Sequence, residues 1–165
     1  MKKILLAILL MAPMSIFAQK FGHYNNADII PNMKEYIAAQ AEIDNLQKQY
    51  SEELQRMYDE YKKKLDDYQK EADKLLDNVK QRRETELMEL QQRIQQTDAD
   101  SQQAIQKATG EKLQEIQNLL IAAVKKVGEA GGYIYIFEVS TGAIPYASPT
   151  LSTDVTADIK KALGM

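Results

Sequence analysis

Cysteine and tryptophan are absent from this sequence of 165 residues, and histidine occurs once, as His23. Without cysteine there is no disulfide bond, no thiolate nucleophile and no thiolate metal ligand. One histidine cannot form a multi-histidine metal site within one chain, and we interpret His23 as a strand side chain. The glycine-rich segment 128–132 lacks the lysine of a phosphate-binding loop and follows a helix instead of a strand. We therefore expect no cofactor and no enzymatic activity.

Proline and glycine are nearly missing from residues 33–127, which contain no proline and one glycine, Gly110. This stretch consists mostly of Glu, Gln, Lys, Leu, Asp and Ala, and all of these except Asp are good helix formers. An unbroken helix of this length would be a rod of about 140 Å, too long to sit inside a small globule. We therefore predict that the stretch folds back, pairs with copies of itself, or both.

Residues 1–18 have the pattern of a secretory signal peptide. Two lysines precede an apolar run from Ile4 to Phe17, and the small residue Ala18 stands before Gln19. A run of fourteen residues is too short to span a membrane, which disfavours a permanent anchor. The mature chain is expected to begin near Gln19 and to work outside the cytoplasm. Removing the two lysines lowers Lys+Arg from 21 to 19 against 24 Asp+Glu, and the resulting net charge of −5 does not favour nucleic acid.

Apolar side chains in the first half of the helical stretch recur at helical spacing. From Tyr36 to Val79 their 12 spacings sum to 43, a mean of 3.58 residues that places them on one face. We predict an antiparallel hairpin that reverses at Asp77–Glu84, a position inferred from symmetry alone. The return limb is polar from 95 to 103, and its predicted apolar seam is Leu87, Leu90, Ile94, Ile105, Leu113, Ile116, Leu120, Val124 and Val127.

The two ends of the chain, residues 19–32 and 128–165, are predicted to form a small β body. Its strongest strand is Tyr133–Val139, which is rich in aromatic and β-branched residues. The weaker predicted elements are a strand at 20–25, a turn or helical start at 25–28, a second strand at 143–147 and a helix at 154–163 capped by Ser152 or Thr153. Asn32 with Glu35 is predicted to cap the long helix, and the glycine-containing segment 128–132 is predicted to end it.

The predicted fold class is α+β and predominantly helical, with a long antiparallel hairpin (33–127) attached to the β body. Two or three strands make a poor sheet by themselves. We therefore expect oligomerisation to complete the body, with contacts made by Ile134, Ile136, Phe137 and Val139.

The most specific part of the sequence is its C-terminal end. It runs from Tyr133-Ile-Tyr-Ile-Phe-Glu-Val139 through Ala143-Ile-Pro-Tyr146 to Asp154-Val-Thr-Ala-Asp-Ile159. Together with the order of signal peptide, short strand, long hairpin, strand and terminal helix, it resembles the Skp/OmpH family of periplasmic chaperones. The resemblance implies a homotrimer whose strands form a small barrel and whose helical arms surround a cavity. It also implies a periplasmic, ATP-independent holdase that prevents unfolded outer-membrane proteins from aggregating.

Tyrosine and methionine side chains are frequent on the apolar face of the outgoing helix. One interpretation is that they form the hairpin seam, as stripes at helical spacing usually do. The other is that some of them face a cavity and hold unfolded chains, for which amphipathic rings and adaptable thioethers are suited. The candidate client-binding residues are Tyr50, Met57, Tyr58, Tyr61 and Tyr68.

Two further features of the predicted arm have functional alternatives. Lys80, Arg82 and Arg83 form a basic spot at the expected tip, and we favour a solvated turn over transient contact with acidic clients or anionic headgroups of a membrane surface. Gly110 costs a helix about 1 kcal/mol relative to alanine and is predicted to be a flexible joint.

A structural coiled-coil spacer or adhesive protein of the cell envelope is the alternative function. It shares the helical composition but predicts one continuous rod without client binding. The path of the chain between residues 33 and 127 therefore discriminates between the two functions.

Overall fold

The computed structural model describes residues 19–165, and the predicted signal peptide at 1–18 lies outside the described residues. Its helices and strands are β1 Phe21–Tyr24, α1 Asn26–Ile29, α2 Lys34–Glu71, α3 Asp77–Gly131, β2 Tyr135–Glu138, β3 Ser152–Asp154 and α4 Thr156–Ala162, with 3-10 turns at Ile30–Asn32 and Ala72–Lys74. The predicted class, α+β and predominantly helical, is confirmed. Within residues 19–165, no helix combines the length and the apolar character needed to cross a bilayer.

Two compact units divide the described chain. The first, here called the β unit, comprises the described residues up to Ile29 together with Leu120–Met165. The second, here called the helical arm, is Ile30–Leu119 and contains α2 and the larger part of α3.

The helical arm is an antiparallel hairpin, as predicted. Polar pairs join its two limbs: Glu42 with Lys112 at 2.7 Å, Lys64 with Glu86 at 2.5 Å, Glu71 with Arg83 at 2.8 Å, and the Tyr68 hydroxyl, which donates to Glu84. Each pair is centred on residue 75, 76 or 77, so the register between the limbs is constant from the reversal to Glu42. Because the register does not change, the two helices pack against each other along one continuous seam.

The chain reverses at residues 72–76, and the predicted reversal at Asp77–Glu84 is wrong. A 3-10 turn at Ala72–Lys74 is followed by Leu75 in extended backbone (φ −84°, ψ 148°), and α3 begins at Asp77. No residue of this turn needs a left-handed conformation, so neither glycine nor proline is required. Symmetry misplaced the turn because the last residues of α3, from Leu120 onward, belong to the β unit and not to the arm.

The seam between the limbs largely follows the predicted positions. The predicted positions from Tyr36 to Val79 are buried or half-buried except for Tyr58 and Leu76, which are predicted on the same face and are 53% and 72% exposed. On the return limb Leu87, Leu90 and Ile94 are buried. Leu113 is an exception: it is 51% exposed, and the prediction that it belongs to the seam is wrong. The neighbouring Lys112 is half-buried instead, because its ammonium group reaches across to Glu42.

Small residues make up the middle of the return seam. Ser101 is only 3% exposed, and its hydroxyl donates to the Thr97 carbonyl oxygen at 2.6 Å, so the buried polar atom is satisfied within its own helix. The constant register places this segment opposite Tyr50 and Leu54. Small side chains on one limb therefore leave room for large side chains on the other.

The long helical stretch begins at a cap that differs from the prediction and ends within the predicted segment. Asn32 lies in a 3-10 turn, while Met33 occupies the N-cap of α2 without a side-chain hydrogen bond and is fully buried. Burying a methionine side chain contributes about 1.5–3 kcal/mol, more than the ~1 kcal/mol of a typical polar cap, so burial decides where α2 begins. At the other end α3 runs to Gly131, inside the predicted segment 128–132. Gly132 (φ +66°) terminates the helix, and the Tyr133 amide donates to the Gly128 carbonyl at 3.0 Å.

The β unit contains a three-stranded parallel sheet in the order β2-β1-β3. The weakly predicted first strand is thus the central one, and Phe21 pairs with both Tyr135 and Ser152. A side chain at Gly22 would approach Ile136 to 3.1 Å, which explains why glycine stands in the central strand. The fully buried side chains of the β unit include Ile29, Val155 and Ile159.

The predicted second strand at 143–147 is wrong, because that segment has no regular structure. The third strand is instead β3, Ser152–Asp154, so Ser152 and Thr153 do not cap the last helix, and Val155 precedes α4 in that position. β3 forms because the central strand offers a free edge: the Val155 amide donates to the His23 carbonyl at 2.9 Å. This pairing joins residues far apart in sequence, and local propensity does not reveal it.

Candidate functional site

The sheet of the β unit carries an open aromatic face. Strand alternation and the register put Phe21, Tyr135 and Phe137 on one side. The rings of Phe21 and Tyr135 stack with centroids 6.3 Å apart, and those of Tyr135 and Phe137 with centroids 5.8 Å apart. Tyr135 is nevertheless 59% exposed and Phe137 38% exposed, so an apolar surface of ordered rings faces outward.

The four predicted contact residues of the body differ in exposure, and only Phe137 belongs to the aromatic face. Ile134 (49%) and Phe137 (38%) are exposed, whereas Ile136 and Val139 are half-buried. Sequence alone missed Phe21 and Tyr135 as members of the aromatic face. Their signal was present in the aromatic composition of both strands, but only the parallel register brings the two rings together.

Polar groups at the rim of the sheet hold its loops in place. Burial raises the pKa of Glu138, but hydrogen bonds from Ser140 and Thr141 outweigh this and bring the pKa to about 2. The Ser140 and Thr141 amides donate to this carboxylate at 2.6 and 3.1 Å. His23 Nδ1 lies 2.8 Å from the Ser152 hydroxyl, and hydrogen bonds from Thr156, with a smaller contribution from His23, keep the pKa of Asp154 below its usual range.

Of the five tyrosine and methionine residues predicted to bind clients, four lie in or beside the seam. Tyr50, Met57, Tyr61 and Tyr68 are half-buried, and Tyr58 stands off the seam with 53% of its surface exposed. The Tyr68 hydroxyl is engaged by Glu84, and this hydrogen bond raises the pKa of Tyr68. The tyrosine and methionine side chains of α2 are therefore partly packed in the seam and partly exposed.

The basic spot is helical and not a loop. Lys80, Arg82 and Arg83 lie in the first turns of α3. Arg83 is paired with Glu71 at 2.8 Å. Arg82 and Arg83 also contribute to the lowered pKa of Glu86, whose main cause is the hydrogen bond with Lys64. Part of the positive charge is thus neutralised within the arm.

Gly110 lies inside α3 and is exposed. A methyl group added there would meet no atom within 4 Å, so packing does not explain the glycine. The helix continues without interruption through this position.

A cleft of about 450 Å³ runs beside the seam near the open end of the hairpin. Its floor is formed by Ala39, Ile116 and Leu119, and its rim carries Glu42 and Lys112, which pair with each other. Among residues 19–165 there is no group of His, Cys, Asp and Glu arranged to hold a metal ion.

Comparisons with known proteins agree with this architecture. The family model described as Outer membrane protein (OmpH-like) matches residues 20–163. A crystal structure from Caulobacter crescentus CB15, of a protein proposed to be an outer membrane chaperone (OmpH-like), has the same fold with a TM-score of 0.76; the match covers 87% of this chain and 82% of that chain at 13% identity. Among curated proteins, none matches this chain. The resemblance seen in the sequence is confirmed: the chain belongs to the OmpH-like outer membrane protein family.

Proposed function

We propose that this protein is an ATP-independent holdase of the periplasm, which binds unfolded outer-membrane proteins between helical arms and prevents their aggregation. The observation that carries the proposal is the hairpin arm. Its α2 limb of 38 residues is about 57 Å long and has tyrosine and methionine side chains half-exposed along the seam. Family membership and the chaperone proposed in Caulobacter support the same role.

Oligomerisation is the second part of the proposal. The stacked rings of Phe21, Tyr135 and Phe137 leave ordered apolar surface in water, and β2 and β3 are both edge strands. Three copies that pool these strands would cover the rings and remove the edges. The arms of a homotrimer would then surround a common cavity, in which many weak contacts act together.

The reversal at residues 72–76 argues against a spacer built as one continuous rod. Transient contact of the arm tip with a membrane surface would rest on Lys80 and Arg82, since Arg83 is already paired. Each available cation contributes about 1 kcal/mol near an anionic surface, so contact through two cations would be weak and reversible.

The test is a holdase assay with the mature protein. A urea-denatured eight-stranded outer-membrane β-barrel protein is diluted into buffer without nucleotide, and light scattering is followed with and without this protein. Suppression at about one trimer per client, with a trimer mass by sedimentation, is the expected result. A protein that remains a single chain at micromolar concentration, or that leaves scattering unchanged for several such clients, would refute the proposal.

A further inference from the structure

The two broad surfaces of the helical arm differ sharply in charge. With 3.6 residues per turn, side chains a quarter-turn from the seam on α2 and α3 fall on two opposite faces. The cross-limb ion pairs of Glu42, Lys64 and Glu71 all lie on one of them. This charged face also carries Glu35, Glu53, Arg56, Glu60, Asp67, Arg93, Asp100, Glu111 and Glu115.

The opposite surface, here called the neutral face, is rich in glutamine and carries exposed apolar side chains. Its members are Gln40, Gln47, Ser51, Gln55, Tyr58 and Gln69 of α2, and Met88, Gln91, Gln95, Gln102, Gln106 and Leu113 of α3. Tyr58, Met88 and Leu113 are 53%, 62% and 51% exposed. The charged side chains that interrupt this face are Asp44 and Lys62 of α2 and Asp77, Lys80, Glu84 and Asp98 of α3.

We propose that the neutral face is the surface of the arm that holds clients, and that its occupant is one uncharged, extended transmembrane-strand segment of an unfolded outer-membrane protein. This inference rests on the proposed holdase function and adds which face acts and what it recognises. In this proposal the arm holds the client through contacts with the client's apolar side chains and peptide backbone, and not through charge.

Electrostatics favour this face over the other. The lipid-facing side chains of a transmembrane β-strand are apolar. Covering the charged face with such a segment would remove several charges from water, each at a high desolvation cost. The neutral face has few charges to desolvate, and its glutamine amides offer both donors and acceptors to the unpaired backbone groups of an extended client.

Length gives a second, independent match. The three exposed apolar anchors of the neutral face are Met88, Tyr58 and Leu113, and the constant limb register places Tyr58 beside Gln95, between the other two. From Met88 to Leu113 the helix rises about 37 Å. An extended chain covers that distance in about eleven residues. A transmembrane β-strand has about 9–11 residues, so one such strand spans the anchors.

The test uses the same substitution on two surfaces of the same helix. The variant Gln95→Glu/Gln106→Glu places two charges on the neutral face, and the control Gln92→Glu/Gln103→Glu places two charges on exposed positions outside it. Glutamine and glutamate have similar helix propensities, so both variants are expected to keep their helicity by circular dichroism. Binding of a fluorescently labelled, urea-denatured eight-stranded outer-membrane β-barrel protein is then titrated.

The expected result is a Kd raised about tenfold for the neutral-face variant and changed less than about twofold for the control. A third variant, Tyr58→Gln/Met88→Gln, removes two anchors without adding charge and is expected to weaken binding about tenfold as well. Wild-type binding should vary by less than about twofold between 50 and 500 mM NaCl, because little of it is ionic.

The failures are distinguishable. If the wild-type protein does not bind the client, the proposed holdase function itself is wrong. If the wild-type protein binds but the neutral-face and control variants lose affinity equally, or neither loses it, the inference is overturned while the function stands. A Kd that rises steeply with salt would overturn it in the same way.

Discussion

Substituting alanine at two glycines of α3 and its C-terminus is expected to change stability in opposite directions. Gly110 is an exposed helical residue, and a methyl group there would meet no atom within 4 Å. Gly110→Ala should therefore raise the free energy of unfolding by about 1 kcal/mol, the difference in helix propensity. Gly132 has a φ of +66°, so Gly132→Ala should lower it by about 1–2 kcal/mol.

The measurement is thermal and urea unfolding of the mature protein, followed by circular dichroism at one protein concentration. For a cooperative unit of the size of the helical arm or the β unit, a change of 1 kcal/mol in the free energy of unfolding corresponds to about 4–8 °C in Tm. A lower Tm for Gly110→Ala would mean that the helix is not continuous there, and a higher Tm for Gly132→Ala would mean that Gly132 does not end α3 in the left-handed conformation. The first result would refute the continuity of α3 at Gly110, and the second would refute its end at Gly131.

The same variant tests the flexible joint. If bending at Gly110 is needed to enclose large clients, Gly110→Ala should stabilise the arm while weakening capture of a large β-barrel protein more than that of a small one. Equal capture of both clients by the variant and the wild type would leave Gly110 without a role as a joint.

Three other predictions follow from the β unit and the seam. Glu138→Gln should cost about 1–2 kcal/mol at pH 7, because the depressed pKa of Glu138 stabilises the fold above its ordinary value near 4.5 and this contribution is lost as the pH falls from 4.5 to about 2. Urea unfolding across this range should show a larger loss of stability in the wild type than in the variant, which keeps the depressed pKa of Asp154, and an equal loss in both would contradict the role of Glu138. Leu90→Ala should cost about 2–5 kcal/mol in urea unfolding, since Leu90 is 1% exposed, and a cost below 1 kcal/mol would contradict the seam. Phe137→Glu should shift the mature protein towards single chains in sedimentation because it charges the aromatic face, and an unchanged mass would exclude that face from the oligomer interface.

Long-range pairing explains which sequence predictions were right and which were wrong. The stripe from Tyr36 to Val79 needed only helical periodicity, and its positions are buried or half-buried in the structure except for the exposed Tyr58 and Leu76. The strand β3 needed a partner more than a hundred residues away, and its sequence Ser-Thr-Asp has the composition of a turn or cap. Local propensity therefore favoured the segment 143–147, whose aromatic and aliphatic residues form no strand.

The candidate functional site could likewise be predicted only in part from the sequence. Composition alone picked out tyrosine and methionine on α2, but it did not separate Tyr58, which is exposed, from Tyr61, which is half-buried. The neutral face was not predicted, because it is composed of residues from two limbs. Only a constant register between α2 and α3 turns two scattered sets of glutamines into one surface.

By itself the sequence determined what depends on near neighbours: the helical stretch, its seam, the glycine-terminated end and the strong strand before residue 139. Tertiary structure decided the reversal at residues 72–76, the choice of β3 over 143–147 and the aromatic face formed by Phe21 and Tyr135. The physical reason is that helix periodicity and propensity act within a few residues. Strand pairing, burial of Met33 and the register of two limbs depend instead on residues that meet only when the chain has folded.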